Sequence, residues 1–432
     1  MIKVGLAKLN ITPYIRCPLG GYAARKDVSQ GIHDDLYARI LVIEGEESVA
    51  VVAMDLLGLP FSVVKEIRQA ATHVTGIPRG NIMLAATHTH SGPNILKLED
   101  THSVDHCYIT TLIKDIVGGV YAGWKQRENA EIGVRRGCVE GIGVNRRSPD
   151  GIPIDPEVGV MKLESQNSMG VLINYTCHAV VLGPDNPLIS ADYPGVTTRF
   201  IERVKGERVV AMFTNGAAGD INTGHSAELS ALGEKIPGRT FERAKKLGTM
   251  LAGEVLKILE TIEPSSNISI AARTKEVSLP LKPLPSLKEA EASAKEKERA
   301  LNELTRKGGP AELITKAKIE KLYADILLKQ VYERNKSSHD VVKRVELQAI
   351  RIGDCALLAF PGELFVEIGL EIKAKSPFKY TYIVGYANGY VGYVPTKQAF
   401  EEGGYEAVTA QFVPEASDIV VEESLALLNS LA

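Results

Sequence analysis

Two periodicities run along the chain. Short β-branched apolar runs at 49–54 (VAVVAM), 82–86 (IMLAA), 170–176 (GVLINYT), 208–213 (RVVAMF) and 355–360 (CALLAF) read as buried strands. Between many of them, residues 61–75, 108–126, 196–206 and 240–261 repeat their apolar positions at helical spacing. The alternation predicts an α/β fold: a mixed β-sheet core flanked by helices. Residues 345–352 (VELQAIRI) alternate as a half-buried strand and turn at Gly353-Asp354 into the run 355–360, a hairpin.

One stretch departs from this pattern. From Ser286 to Ser337 the chain is rich in Ala, Glu, Lys and Leu, opens on a Ser286–Glu289 capping box and breaks at Gly308-Gly309-Pro310. It reads as a charged helical hairpin, 286–337, inserted into a single domain that spans 1–432. Its composition points first to a solvated structural insertion, with a lid or an oligomer contact as the alternative.

Composition narrows the function. At 432 residues, 44% hydrophobic and 24% charged, the chain has enough length for a sizeable core. A net charge of −3 offers no excess of positive charge, so neither nucleic acid nor an anionic membrane surface is an expected partner. No apolar run is long enough for an integral membrane segment, and the start, MIKVGLAKLN, lacks the features of a secretion signal, so a cytoplasmic location is expected. The five cysteines are scattered without a CxxC pair, which indicates neither a disulfide framework nor a thiolate zinc site.

The position of the polar residues is more telling. Strand 49–54 runs into Asp55, 82–86 into Thr87-His88-Thr89-His90, 170–176 into His178, 208–213 into Asn215 and a loop reaching Asp220, and 355–360 into Pro361-Gly362-Glu363. Ligand sites of α/β sheets collect at the carboxyl ends of strands, so the pattern predicts one shared cleft. His88 and His90, two apart, are spaced to enter one pocket. Two imidazoles and a carboxylate suit zinc, with a position left open for water. Each residue alone also has a structural reading: His178 as a hydrogen-bonded core histidine, Glu363 or Asp55 as a helix cap. The glycine-rich loop 215–224 (NGAAGDINTG) offers amides for an anion but lacks the Gly-Lys-Ser/Thr ending of a phosphate loop.

The segments THTHSGP (87–93), GVNRRSP (143–149), NYTCHA (174–179), NGAAGDIN (215–222), FPGELF (360–365), GYVGYVPT (389–396) and GGYEA (403–407) resemble, in the same order, those of the neutral ceramidase family. The resemblance implies zinc held by His88, His178, Glu363 and Tyr393. It further implies that His90 binds substrate or moves protons and that Arg146 and Tyr405 contact substrate. Ceramidases carry a serine, proposed as nucleophile, after the GDV triplet; here Asn222 follows Gly219-Asp220-Ile221. A carboxamide cannot form an acyl-enzyme, and the C-terminal immunoglobulin-like domain of secreted ceramidases has no counterpart in the sequence.

The expected function is therefore a zinc-dependent hydrolase of a small-molecule or lipid-like N-acyl substrate, in which zinc-bound water attacks the amide carbonyl. His90 handles protons, while Arg146, Tyr405 and Asn222 stabilise the oxyanion. A zinc esterase or lactonase would use the same chemistry. A non-catalytic zinc-binding protein derived from such a hydrolase, or a fold using these His and Glu only structurally, are the readings from other classes.

Overall fold

A computed structural model describes residues 2–96, 106–148, 150–336 and 341–432. Ser337, the last residue of the expected insertion, and Pro149 of the GVNRRSP segment lie outside the described residues. The larger sheet has eight strands in the order 209–215, 169–175, 157–165, 128–138, 3–10, 37–44, 48–54 and 82–86. Its two outermost pairs, Met169–Tyr175 with Val209–Asn215 and Ser48–Met54 with Ile82–Ala86, are parallel, and the pairs between them are antiparallel. A second sheet of four strands runs 270–280, 342–352, 355–359 and 380–384, its last pair parallel. The core is thus α/β and mixed, as the alternation of periods predicts.

The sheets pack face to face and helices cover both outer faces. Alternation along the strands makes this layering possible. In Tyr37–Glu44, Leu41 and Ile43 enter the cluster between the sheets with Ile350, Leu357 and Tyr382, while Ile40 and Val42 pack on helices Phe61–Thr75 and His106–Lys125 through Ile67 and Ile116. Helices Asp192–Lys205 and Phe241–Leu259 cover the far end of the same face, and Val366–Lys375 and Ala416–Asn429 cover the smaller sheet. Gly159 allows the close approach of the sheets, because a Cβ there would lie 2.4 Å from the Tyr382 ring. Strands Lys3–Asn10, Glu128–Cys138 and Ile270–Pro280 carry charged residues among apolar ones, so no apolar run marks them in the sequence. Helix Asp192–Lys205 starts four residues ahead of its expected position, with Pro194 tolerated in its first turn.

The inserted hairpin consists of helices Leu287–Arg306 and Ala311–Lys336, with the Ser286–Glu289 capping box formed. It is more than a solvated excursion. Tyr323 Oη donates to Glu228 Oε1 at 3.0 Å, Lys318 pairs with Glu234 at 2.9 Å, and Gln330 Nε2 donates to the carbonyls of Val408 and Thr409 at 3.2 and 2.9 Å. Polar contacts, which leave no apolar stripe in the sequence, anchor its second helix to the body. Among the described residues no helix is long and apolar enough to cross a membrane.

Among the strand-end polar residues, Asp55, Asn215 and Asp220 do not line the cavity that His88, His90, His178 and Glu363 share; Asp220 accepts from Asn145 Nδ2 at 2.7 Å and Val366 N at 2.9 Å, and Asp55 serves the core. Its carboxylate accepts from Tyr37 N at 2.9 Å and pairs with Arg39 at 3.0 Å, and Arg39 in turn donates to Thr198 at 2.9 Å, tying two strands to helix Asp192–Lys205. Both side chains are buried, so removing Asp55 leaves the Arg39 charge, among the described residues, with the more distant Glu202 carboxylate alone, 3.5 Å from its Nε. Asp55→Ala is expected to lower stability by roughly 3–5 kcal/mol, read from the urea midpoint. A loss below about 1 kcal/mol would show that Arg39 is adequately held by its other neighbours.

Candidate metal centre

The strand ends converge because the backbone there is cross-linked through one side chain. Asn215 accepts from Cys177 N at 3.2 Å and donates to the carbonyls of Cys177 and Thr87 at 3.0 and 3.4 Å, while its own carbonyl accepts from Gly385 N at 2.9 Å. Ala86 N donates to Tyr386 O and Tyr386 N to Gly362 O, joining the ends of both sheets. The residues that follow, His88, His178 and Glu363, therefore enter one space. Three non-glycine residues here, His88, Tyr386 and Asn388, have positive φ of 67°, 55° and 62°. Such backbone costs about 1–3 kcal/mol per residue and persists where the surroundings impose it.

Each imidazole is oriented by a main-chain carbonyl. Nδ1 of His88 meets Leu57 O at 2.6 Å, Nδ1 of His90 meets Gly21 O at 2.9 Å, and Nδ1 of His178 meets Ile221 O at 3.1 Å. A carbonyl only accepts, so the proton of each ring sits on Nδ1 and, in the neutral ring, Nε2 is left with a bare lone pair. Those lone pairs face one another. Nε2 of His88 and His90 are 3.1 Å apart, and Glu363 Oε2 lies 2.9 Å from His178 Nε2 and 3.7 Å from His88 Nε2. Among the described residues His178 Nε2 is buried without a hydrogen-bond partner, since the nearby carboxylate oxygen has no proton to give it.

Charge sharpens the conflict. Burial pushes His88 down to about 3, against the pull of Glu363, so the ring is neutral. Burial also lowers His90. For Glu363 burial acts upward but is outweighed by the pull of His88 and His178 whenever those rings carry a second proton, and by the Tyr390 hydroxyl, so the carboxyl is held at about 2 and is ionised beside the neutral rings. Tyr390 and Tyr386 (3.4 Å) both donate to this carboxylate, and burial together with the charge of Glu363 keeps both phenols well above their usual range. The result is three lone pairs and a negative charge around one point, an arrangement that a cation relieves. His88, His90 and His178 offer nitrogens all within 4.8 Å of one another and could hold a metal ion. The carbonyl-anchored Nδ1–H of each ring is the usual outer support of a metal-bound imidazole.

The other expected residues surround this cluster in a cavity of about 700 Å³, lined by His88, His90, His178, Glu363, Tyr393, Arg146, Tyr405 and Asn222 among others. Arg146 is fixed by Glu406 Oε1 at 2.7 Å and Gly219 O at 2.9 Å, and its Nη2 donates to Tyr393 Oη at 3.2 Å. The Tyr405 ring packs edge-on against Tyr393 at 6.3 Å. Asn222 is tied into its own loop: Oδ1 accepts from the amides of Gly224 and His225 at 2.8 and 3.1 Å, and Nδ2 donates to His225 O at 2.7 Å. Amides of the glycine-rich loop are engaged internally as well, Gly216 N on Tyr175 O and Gly219 N on Leu364 O. Sequence reasoning misses Tyr386, Tyr390 and Glu406, which act on Glu363 and Arg146 from elements distant in the chain. Tyr390 was within reach, as the first tyrosine of the GYVGY stretch.

The converged strand ends of this two-sheet α/β body thus bring together three histidines that could hold a metal ion. Residues 2–229, more than half of the chain, match the family described as neutral/alkaline non-lysosomal ceramidase, N-terminal, and the chain belongs to that family. It is 23% identical to the neutral ceramidase of Pseudomonas aeruginosa over 471 aligned positions, covering 95% of this chain and 69% of that protein. It is 24% identical to neutral ceramidases of Drosophila pseudoobscura pseudoobscura, with 46% of this chain on 32% of that protein, and of Mycobacterium tuberculosis, with 57% on 44%. The matches thus span about a third and under half the length of these last two relatives. The crystal structure of the Pseudomonas aeruginosa neutral ceramidase superposes with a TM-score of 0.75 at 20% identity, over all of this chain and 74% of that one. A structure described as a ceramidase complexed with C2 gives 0.74 at 18%, over all of this chain and 75% of that one. At these identities the likeness is one of fold.

His225, in the loop closed by Asn222, carries a stability prediction. Burial, then Arg239 and Arg243, pushes its ring to about 3, against about 6.5 in an unfolded chain. The unfolded state takes the proton first, so the contribution of a neutral His225 is intact above pH 6.5 and is lost progressively as pH falls toward 3. His225→Gln is expected to lose less stability between pH 7 and 5 than the parent, measured as urea midpoints at both values; equal losses would show that the ring charges in place.

Proposed function

We propose that the chain is a zinc-dependent hydrolase of N-acyl amide bonds, with His88, His178, Glu363 and Tyr393 as the metal ligands. The observation that carries this reading is the convergence of bare imidazole nitrogens and an ionised carboxylate at the base of one cavity. Membership of the ceramidase family supports amide cleavage, since the bond such enzymes open is an N-acyl amide. Held by these residues, a zinc ion would supply a Lewis acid able to bring the pKa of a water from about 15.7 to roughly 7.

The chain's own groups do the rest. The carbonyls of Leu57 and Ile221 hold His88 and His178 in the ligating tautomer, and Tyr386 and Tyr390 keep Glu363 turned toward them. His90, anchored on Gly21 O, keeps Nε2 on the cavity side and accepts a proton there. Arg146, held rigid by Glu406 and Gly219 O, and Tyr405 stand beside Tyr393 to stabilise charge developing on the carbonyl oxygen. Asn222 has no hydroxyl for an acyl-enzyme, and its bonds to Gly224 and His225 make it a shaper of the cavity wall.

Metal analysis of purified protein, together with turnover of matched N-acyl amides and esters, tests the reading. About one zinc per chain is expected, with His178→Ala and Glu363→Ala nearly metal-free and inactive. His90→Ala is expected to keep its metal and to lose roughly 100-fold or more in kcat. Should His90→Ala empty the site as well, the ligand set is the three histidines. Full metal in both His178→Ala and Glu363→Ala would overturn the proposal. Tyr390→Phe, which frees one oxygen of Glu363, is expected to weaken metal affinity by about 10–100-fold, measured by competition with a chelator.

A further inference from the structure

The cavity runs from a buried base to a solvent-facing rim. At the base His88, His178 and Glu363 are 1–2% exposed, whereas at the rim Val342 is 39% exposed and the Glu333 side chain 67%. Part of the wall between them is the inserted hairpin. On helix Ala311–Lys336 the lining residues Ile326, Lys329, Gln330 and Glu333 recur at the spacing of one helical face. Ile326 stands two turns from Glu333, roughly 10 Å along the axis, so the face forms a strip that leads inward from the rim.

The strip is held in place from two sides. On another face of the same helix Glu320 pairs with Lys297 of helix Leu287–Arg306 at 3.0 Å, and Ala324 and Val331, in line with it, are buried. Tyr323 and Lys318 fasten the helix to Glu228 and Glu234, and Gln330 Nε2 to the carbonyls of Val408 and Thr409. The polar heads along the strip are engaged with protein: Gln330 on those carbonyls, Lys329 4.0 Å from Glu333, and Lys343 Nζ on Gln411 Oε1 at 3.4 Å. What such side chains offer a ligand is their hydrocarbon stems. Around the partly exposed Ile326 the lining continues apolar, with Leu281 and Val342 near the rim, Ala227 and Ala231 of helix Ala227–Ala231, and Val180 and Leu57 beside the histidines.

We propose that a hydrocarbon segment of the substrate lies along the hairpin helix, and that Ile326 is a specificity-determining residue that reads its length. With the amide at the histidine cluster, the segment passes Ile326 and runs toward Val342, which takes apolar surface of both partners out of water. This rests on the hydrolase reading of the same cavity and deepens it. A group as short as acetyl would not reach Ile326. The segment belongs either to the acyl or to the amine side of the amide, and the experiment separates the two.

The test uses the zinc-loaded full chain and two substrate series: the ethanolamides of acetic, hexanoic, decanoic and tetradecanoic acids, and the acetamides of ethylamine, hexylamine and decylamine. In one series kcat/KM is expected to rise with length, by about fourfold for each methylene that becomes buried, and the series that rises identifies the side of the amide. Ile326→Asp is expected to cut the long-to-short ratio of that series at least about tenfold and Ile326→Ala at least about fourfold, with the shortest compound within about twofold of the parent. General damage to the protein would lower long and short compounds alike and leave the ratio unchanged. Calorimetric binding of the same compounds is measured in parallel. Binding that strengthens with length and loses that dependence in Ile326→Asp, with no turnover of any amide, would uphold the hydrocarbon strip and remove the hydrolase reading. Turnover and binding that ignore length in both series overturn the inference, as does a length preference that Ile326→Asp leaves intact.

Discussion

Three imidazoles enter one buried space with their protons turned outward onto backbone carbonyls, and an ionised carboxylate closes the ring from a fourth segment. Lone pairs and negative charge at 2.9–3.7 Å repel one another in a medium that screens them poorly. The surrounding structure exists in large part to impose this arrangement. Asn215 joins strand ends of both sheets, His88 and Tyr386 accept left-handed backbone, and the Tyr386 ring stacks on His88 at 3.8 Å. Backbone of this kind persists only where the surroundings impose it, as they do around His88 and Tyr386.

The layers around it explain why the site can be rigid. The strands that deliver His88, His178 and Glu363 are apolar on both faces, one face against the other sheet and one against helices, so their ends have little freedom to move. Chemistry is then added by loops that the core holds in place: Tyr390 and Tyr393 from one, Arg146 from another, Tyr405 at the start of a short helix. The hairpin Leu287–Lys336 lies at the opposite end of the same cavity.

Much of the fold is legible in the sequence. Strands 49–54, 82–86 and 355–360 and helices 61–75 and 240–261 lie within about two residues of their expected places, because double-sided burial and amphipathic burial leave different periods. The antiparallel strands with interspersed charge were not legible, and neither was the packing of one sheet on another, since a buried face does not say what buries it. In the site, residue type and strand-end position singled out His88, His178 and Glu363. Tyr393 came only with the family resemblance, as a phenol beside a glycine reads as packing.

What the sequence by itself determined is an alphabet of residues: imidazoles and a carboxylate after apolar strands, and an arginine, tyrosines and an asparagine within motifs that resemble those of one family. Local sequence encodes such things because side-chain type and period are local properties. Only the tertiary structure decided which nitrogen of each histidine faces inward, that Asp55 serves the core and not the cleft, that Asn222 closes its own loop, and that the charged hairpin walls the cavity. Each of these depends on a partner tens to hundreds of residues away or on a backbone carbonyl whose direction no sequence pattern records.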